Sequence, residues 1–411
     1  MILRRYPWLK YLAVIGLLIT LVGLTAANLQ FVERTPAGSD FLPFWTASHA
    51  WLVDGLSPYA PEIQSDADNL IYGRAAMPSL GEESYAFLYP FPSLFLTLLY
   101  GLLSYPAARA FWMTVLELAV PVTVLLAFGI RKWKTAPTLI AVTMLVALIW
   151  YPGFMGMISG QPAILIGLFL TGALLAIRRE ALLPAGVLMG LATLKPHLSG
   201  ILILFLLLWG IQRKHWTLVL GFLGTTALLW AGSLLLEPSW MILWARALVQ
   251  AYNQGLSLTP ALGLFADLFP SFARESTWLF IGLAATSLLW EWGSILFGDD
   301  RALPWAAAYT VLLSIFLTPP LNYADQILLI IPVIIILDYA EDRWKARSIR
   351  MNLILLPGIA ATSWLPFLLS ESSSGPVIFS YIMPILLFIG MRWSRWWARH
   401  ASEWWDGNLL R

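Results

Sequence analysis

The stretch "MILRRYPWLKYLAVIGLLITLVGLTAAN", residues 1–28, places basic side chains before a long apolar run, and it decides the fold class. An apolar run of about 20 residues crosses ~30 Å of hydrocarbon as an α-helix. A cleaved signal peptide has the same order of charged and apolar residues. The run here is long, and further apolar segments follow it almost to residue 411. We therefore interpret it as an uncleaved first membrane helix.

The composition of the whole chain is also that of a membrane protein. Charged residues make up 12% of the 411 residues, and the mean hydropathy is +0.75. A soluble protein carries roughly a quarter charged residues. Only helices and closed barrels satisfy their backbone in lipid, and the apolar segments do not alternate as barrel strands do. We predict an all-α polytopic membrane protein.

Basic clusters between the apolar segments orient the chain. The positive-inside rule places these clusters and both termini in the cytoplasm. The remaining loops, rich in aromatic residues, Pro and Gly, then lie outside, and the largest are 30–106 and 237–276. We expect one domain over residues 1–411. About twelve spans are predicted, near 8–29, 107–129, 136–150, 162–177, 182–194, 197–211, 216–236, 277–297, 303–317, 322–338, 351–370 and 376–391.

Three segments depart from a simple series of crossings. Residues 88–104 are apolar enough to span, but only one crossing fits before Arg131, and 107–129 supplies it. We predict a re-entrant or surface-lying helix there; an extra crossing would reverse every later loop. Residues 151–161 are expected to form an outer loop. The short span 182–194 ends at "LKPH", because Pro196 cannot continue a regular ladder of hydrogen bonds.

The first outer loop contains "AGSDFLPFWTASHAWLVDGLSPY", residues 37–59, and its acid Asp40 has two interpretations. Ser39 or Asp40 can cap a helix that has Pro43 in its first turn and Gly55 at its end. Apolar residues recur at helical spacing, which predicts an amphipathic helix in the outer interface. Asp40 is then a helix cap, or a catalytic carboxylate held at the membrane surface.

Lys195 and His197 lie between two apolar helices near the outer side. A cation at such depth is costly unless it is paired or hydrated, so we take it as a functional candidate. A bound phosphate satisfies both side chains, the lysine as a point charge and the histidine as a donor. The alternative is that Lys195 snorkels to the outer headgroups.

Further polar side chains fall on the predicted outer side and suit hydroxyl-rich ligands, since amides and carboxylates pair with sugar hydroxyls. Asp325 lies three residues into a span, so it must face protein or water. Polar loops without a ligand have the same composition. These candidates are Gln161, Asn253, Gln254, Tyr323 and Asp325.

Several classes of site have no support in the sequence. There is no basic run of the kind that nucleic acid requires, and no Walker loop or HExxH motif. Cys is absent and only four His are present, so thiolate metal sites and disulfides are excluded. We expect no cofactor and no metal.

At this point the chain resembles glycosyltransferase family 87, whose members are GT-C fold membrane transferases. The resemblance covers roughly residues 30–340. One departure is "NQGLS" at 253–257, where the family usually has Ser after Asn-Gln. The matching segments, in the family's order, are Asp40-Phe41, "GLSPY" (55–59), "YPFPSLF" (89–95), "GQPAILIGL" (160–168), "AGVLMGLATLKPH" (185–197) and "LTPPLNYADQILLIIPVII" (317–335).

The resemblance implies that Asp40 matches the acid of the first outer loop taken as catalytic, and that the donor is a polyprenyl-phosphate-linked sugar, with mannose expected. We expect an inverting hexosyltransferase of the bacterial plasma membrane, acting on a lipid or glycan acceptor outside the cytoplasm. Two alternatives stay open: a transporter or flippase of lipid-linked sugars, and a non-catalytic assembly protein. Transporters commonly contain repeated sets of spans, and the sequence shows no repeat.

Overall fold

The computed structural model describes residues 8–35, 39–77, 82, 85–131, 135–253, 261–318, 323–344, 346–369 and 378–400. Throughout these ranges the regular structure is helical, with no strand. The α-helices are α1 (Trp8–Arg34), α2 (Leu42–His49), α3 (Pro61–Tyr72), α4 (Tyr105–Ile130), α5 (Pro137–Ile149), α6 (Tyr151–Ser159), α7 (Ala163–Arg178), α8 (Leu182–Ala192), α9 (Pro196–Gln212), α10 (Trp216–Leu236), α11 (Trp240–Asn253), α12 (Leu262–Leu268), α13 (Ala273–Leu296), α14 (Leu303–Leu317), α15 (Ile330–Trp344), α16 (Ala346–Leu369) and α17 (Ile378–Arg399). A π-helical turn continues α2 over Ala50–Asp54, and 3₁₀ segments cover Phe91–Leu96, Leu98–Leu102, Pro270–Phe272, Asp300–Ala302 and Tyr323–Leu329.

Several of these helices are long and apolar enough to cross a membrane. By length and composition there are 5 among the described residues, or 6 if α5 and α6, which meet at a bend of 55°, form one broken span. Large apolar side chains are exposed along α1, α10 and α13. Such side chains are stable when lipid covers them, because hydrocarbon and not water is their neighbour. The prediction of an all-α polytopic membrane protein is confirmed.

Each predicted span coincides with helical structure. The matching helices are α1, α4, α5, α7 to α10 and α13 to α17, and α15 is preceded by the 3₁₀ segment Tyr323–Leu329. Several of them, including α7, α8 and α9, are shorter than a full crossing requires. The number of twelve crossings therefore stays a prediction.

Two local expectations differ from the structure. Residues 151–161 are not a loop, because α6 occupies most of them. Pro152 lies in the first turn of α6, where its missing N–H is not needed by the helix. Residues 88–104 do not form a continuous α-helix. They form two 3₁₀ segments that meet at Thr97, whose ψ of −3° interrupts the helical path.

The chain divides into two compact units, each described here by itself. The first comprises Met1–Leu118, Met157–Gln161 and Glu237–Leu248, and the second Ala119–Gly156, Pro162–Leu236 and Val249–Arg411. The expectation of one domain over 1–411 stays a prediction.

The first unit is built around α2. Of its 8 residues, 6 are buried, among them Leu42, Phe44 and Ala47. Helix α3 and both 3₁₀ segments of residues 91–102 pack against it. The helix is thus enclosed on more sides than a helix lying on a bilayer surface. Beyond α3, two hydrogen bonds from the Arg74 guanidinium, each 2.7 Å, hold the pKa of the Glu82 carboxyl below its usual range.

The second unit is organised by α14, in which every residue from Leu303 to Phe316 is buried. This helix has no charged residue and packs against α9, α13, α15 and α17. A helix that is apolar on all sides belongs inside a bundle. The unit therefore surrounds one central helix with several others.

Glycines bring α8 and α10 close together in the second unit. A Cβ atom on Gly190 would lie 2.6 Å from the Thr225 Cβ, and one on Gly186 would collide with the backbone of α10. Gly186 and Gly190 are four residues apart and share one face of α8. Small residues at this spacing allow membrane helices to approach closely and gain van der Waals contact.

Candidate functional site

Asp40 lies two residues before the start of α2 and is half-buried. The residue directly before α2 is Phe41, which has helical φ and ψ and makes no capping hydrogen bond with its side chain. The capping role of Ser39 or Asp40 stays a prediction. The Ser39 hydroxyl lies 3.0 Å from the Tyr105 hydroxyl. At the other end, Gly55 has a φ of 68° and its N–H bonds to Ala50, which confirms it as the C-terminal glycine of this helical segment.

The backbone beside Asp40 is held against the backbone beside Gln161. The Phe41 N–H donates to the Ser159 carbonyl at 3.1 Å. Gly160 has a φ of 75°, and a Cβ there would lie 2.7 Å from the Phe41 Cβ. Asp40 precedes Phe41 and Gln161 follows Gly160, so each candidate is next in the chain to one member of this tightly packed pair. Gln161 itself is buried, with 2% of its surface exposed.

Trp112 completes this packing from α4. Its ring stacks on Phe41 with centroids 5.4 Å apart, and its indole N–H donates to the Gly160 carbonyl at 2.7 Å. Buried Trp side chains usually find a hydrogen-bond partner of this kind for the indole N–H. Asp40 and Gln161 therefore flank closely packed backbone in the first unit.

The sequence interpretation missed Arg109, a buried cation of α4 with 3% of its surface exposed. Its guanidinium donates to the carbonyls of Thr35 and Ile158, each at 3.2 Å. These two bonds tie the segment that precedes Asp40 to the segment that precedes Gln161. The signal was present in the sequence, since Arg109 is a lone cation in an apolar helix, where ionisable residues are usually functional.

Lys195 and Asp325 form a buried ion pair in the second unit. The Lys195 ammonium lies 2.5 Å from an oxygen of the Asp325 carboxylate. Lys195 is 2% exposed and Asp325 is 3% exposed. The expectation that Asp325 faces protein or water is confirmed, and the alternative that Lys195 snorkels to headgroups is wrong, because its side chain is enclosed.

The pair lies at the start of α9. Helix α8 ends at Ala192 and α9 begins with Pro196 in its first position, so Lys195 occupies the N-cap. The predicted helix end before Pro196 is confirmed. A helix N-terminus carries partial positive charge and exposes N–H groups, which makes it a favourable place for an anion. Here the side chain of the N-cap residue, Lys195, contacts the carboxylate of Asp325.

His197 lies in the first turn of α9 and is half-buried. It is close enough to Lys195 and Asp325 to interact electrostatically with both charges. Lys195 and His197 thus lie at one helix junction, the start of α9. Their assignment to a donor phosphate stays a prediction.

The structure gives less information on the remaining candidates, Tyr323, Asn253 and Gln254. Tyr323 packs edge-on against Tyr151, with ring centroids 5.4 Å apart. Asn253 is the last residue of α11 and is exposed. Gln254 lies outside the described residues. Among the described residues, no three His, Asp or Glu side chains cluster in a way that could hold a metal ion.

Comparison with known proteins assigns the chain to a family. The sequence model of glycosyltransferase family 87 matches residues 87–320, which is more than half of the chain. The matched range includes Gln161, Lys195 and His197, while Asp40 and Asp325 lie outside it. No curated protein matches the chain. With its buried charges and its apolar helices, the chain belongs to glycosyltransferase family 87 and is a membrane enzyme that transfers a sugar from a donor to an acceptor.

Proposed function

We propose that the enzyme transfers a hexose, with mannose the expected sugar, from a polyprenyl-phosphate donor to a lipid or glycan acceptor. The observation that carries the proposal is the buried Lys195 ammonium at the N-terminus of α9, inside the range matched by the family. An enclosed cation beside helical N–H groups suits a lipid phosphate. Such a donor also removes the need for a nucleotide-binding domain.

Asp40 acts as the general base in this proposal. It accepts the proton of the acceptor hydroxyl while that oxygen forms a bond to the anomeric carbon, and the bond from that carbon to the phosphate oxygen breaks. One displacement inverts the anomeric configuration. A positioned base contributes about 10²–10⁴ in rate.

Lys195 and His197 stabilise the charge that develops on the departing polyprenyl phosphate. Preorganised donors are most effective where charge appears in the transition state. The Lys195 ammonium donates to the Asp325 carboxylate. Asp325 therefore orients Lys195 in this proposal, while Gln161, Asn253, Gln254 and Tyr323 contact sugar or phosphate oxygens. The reaction takes place on the extracytoplasmic side of a bacterial plasma membrane.

Replacing Asp40→Asn tests the base. Asn keeps the shape of the side chain and removes its basicity. We therefore expect a folded protein that binds the donor and whose transfer rate is lower by a factor of about 10²–10⁴. The measurement is transfer of labelled sugar from polyprenyl-phosphate-mannose, with a thermal scan of the same sample. Asp54→Asn is the matched control, because Asp54 is an exposed acid of the same loop.

Three results would contradict parts of this proposal. A stable Asp40→Asn enzyme with undiminished transfer excludes Asp40 as the base, and a large loss in Asp54→Asn moves the role to Asp54. Transfer from a nucleotide sugar, with none from the polyprenyl-phosphate donor, excludes the proposed donor class.

A further inference from the structure

A cluster of arginines surrounds one buried acid at the end of α17. Glu291, on α13, is 2% exposed. It accepts contacts from Arg392 at 3.3 Å, Arg395 at 2.5 Å and Arg399 at 2.9 Å. The three arginines follow one another along α17 at helical spacing and so share one face. We call these four residues the Glu291 cluster.

The Glu291 cluster carries more positive charge than its acid requires. One carboxylate compensates one guanidinium, so two positive charges remain uncompensated within the cluster. Asp300 contacts Arg213, and Asp342 contacts Arg131. Among the residues that the structure describes, the cluster therefore holds two more positive charges than negative ones.

The arginines are also accessible. Their side chains are 43%, 26% and 33% exposed for Arg392, Arg395 and Arg399, whereas that of Glu291 is 3% exposed. Each guanidinium has five N–H donors. The buried carboxylate thus contacts all three arginines, and the exposed part of each arginine side chain can contact a second anion.

The surroundings place this charge at headgroup depth. Residues 378–391 contain no charged side chain, and the first charge of α17 is Arg392. Trp393 stacks on Trp344 with centroids 5.1 Å apart, and Trp396 is 55% exposed. Trp prefers the boundary between hydrocarbon and water. Arginines that follow an apolar helix among exposed Trp rings lie where lipid phosphates lie.

We propose that Arg392, Arg395 and Arg399 bind the phosphate group of an anionic membrane lipid at the membrane face where α17 ends. Guanidinium groups match phosphate oxygens in geometry and charge, and they form strong charge-assisted hydrogen bonds with them. Basic clusters beside membrane helices recognise anionic headgroups in this way. The proposal is independent of which donor sugar the enzyme uses.

The test compares lipids on the purified full chain. Short-chain phosphatidylglycerol and phosphatidylcholine with the same acyl chains are titrated into the detergent-solubilised protein, and bound lipid is counted by native mass spectrometry. The variant Arg392→Gln with Arg399→Gln keeps the closest contact of Glu291, that with Arg395. Because each arginine near an anionic lipid contributes about 1 kcal/mol, we expect the affinity for phosphatidylglycerol to fall roughly tenfold or more.

The matched control is Lys214→Gln with Arg350→Gln, which removes two exposed positive charges elsewhere. We expect it to keep the preference for phosphatidylglycerol. An equal loss in both double variants, or no loss in the arginine variant, overturns the proposal. If the arginine double variant does not fold, Arg392→Gln alone replaces it, because Arg392 has the longest contact to Glu291. Inorganic phosphate is the last arm: if it abolishes lipid binding at equal concentration, the site binds free phosphate and not a lipid.

Discussion

At the residue scale, the ion pair of Lys195 and Asp325 limits what the lysine can do. The sequence marked both residues, because each is a charge inside an apolar segment. Their 2.5 Å contact was not predicted, since hydropathy gives no distance between residues far apart in the chain. The role of Arg109 was not predicted for a related reason. Its guanidinium donates to two backbone carbonyls, and every residue has a backbone carbonyl, so the sequence does not show which ones it contacts.

The pair gives a prediction that separates a structural from a functional lysine. Removing one partner of a buried ion pair costs about 3–5 kcal/mol, because the other charge is left uncompensated. We expect Lys195→Met and Asp325→Asn each to lose stability by that amount. The double variant removes both charges, so most of the stability returns. If Lys195 binds the donor phosphate, sugar transfer does not return with it.

Thermal unfolding and sugar transfer, measured on the same four proteins, check this prediction. A double variant that recovers both stability and transfer shows a purely structural pair, and Lys195 loses its proposed role. A double variant no more stable than the single ones shows that the two charges are not energetically coupled.

At the element scale, the sequence predicts where the helices lie, but it does not predict which elements pack against each other. Long apolar runs predict helices because the backbone must be satisfied within each segment in lipid. Pro196 and Gly55 marked helix ends, because the constraint at each is local. Residues 88–104 have the composition of a span, yet form 3₁₀ segments packed against α2. Tertiary contacts decide their form, and those contacts come from residues distant in the chain.

Gly160 gives the prediction that belongs to this scale. Its φ of 75° costs a residue with a side chain roughly 1–2 kcal/mol, and a Cβ would also press on Phe41 at 2.7 Å. We expect Gly160→Ala to lower the thermal stability of the protein. We also expect it to impair transfer, because the added methyl group displaces the backbone at residue 160, which contacts Phe41 and directly precedes Gln161.

Gly200→Ala is the matched control for this substitution. Gly200 lies inside α9, and a Cβ there meets nothing within 4 Å. Alanine is the better helix former by up to ~1 kcal/mol, so stability should hold or rise slightly. Equal effects of the two substitutions on unfolding temperature and transfer would show that the contact of Gly160 with Phe41 has no special weight.

At the scale of the whole molecule, the sequence predicts more membrane crossings than the helix lengths alone indicate. Helix lengths give 5 or 6 clear spans among the described residues, whereas the apolar segments of the sequence predict about twelve crossings. The difference lies in short helices such as α8, whose 11 residues reach only part of the way across a bilayer. The division of the chain into two units was not predicted, because it depends on contacts and not on hydropathy.

Sidedness is the property on which the proposed reaction depends, and it can be measured directly. The chain has no Cys, so single cysteines report without background. Asp66 and Lys214 are both exposed, and the charge pattern puts them on opposite sides. An impermeant thiol reagent applied to intact cells should label Asp66→Cys and not Lys214→Cys, while permeabilised cells should label both. The reverse pattern would invert the predicted orientation and place Asp40 on the cytoplasmic side, opposite to the side proposed for the reaction. Ser104→Cys, also exposed, extends the test: labelling from outside agrees with residues 88–104 staying on the outer side, and labelling only after permeabilisation requires an additional crossing.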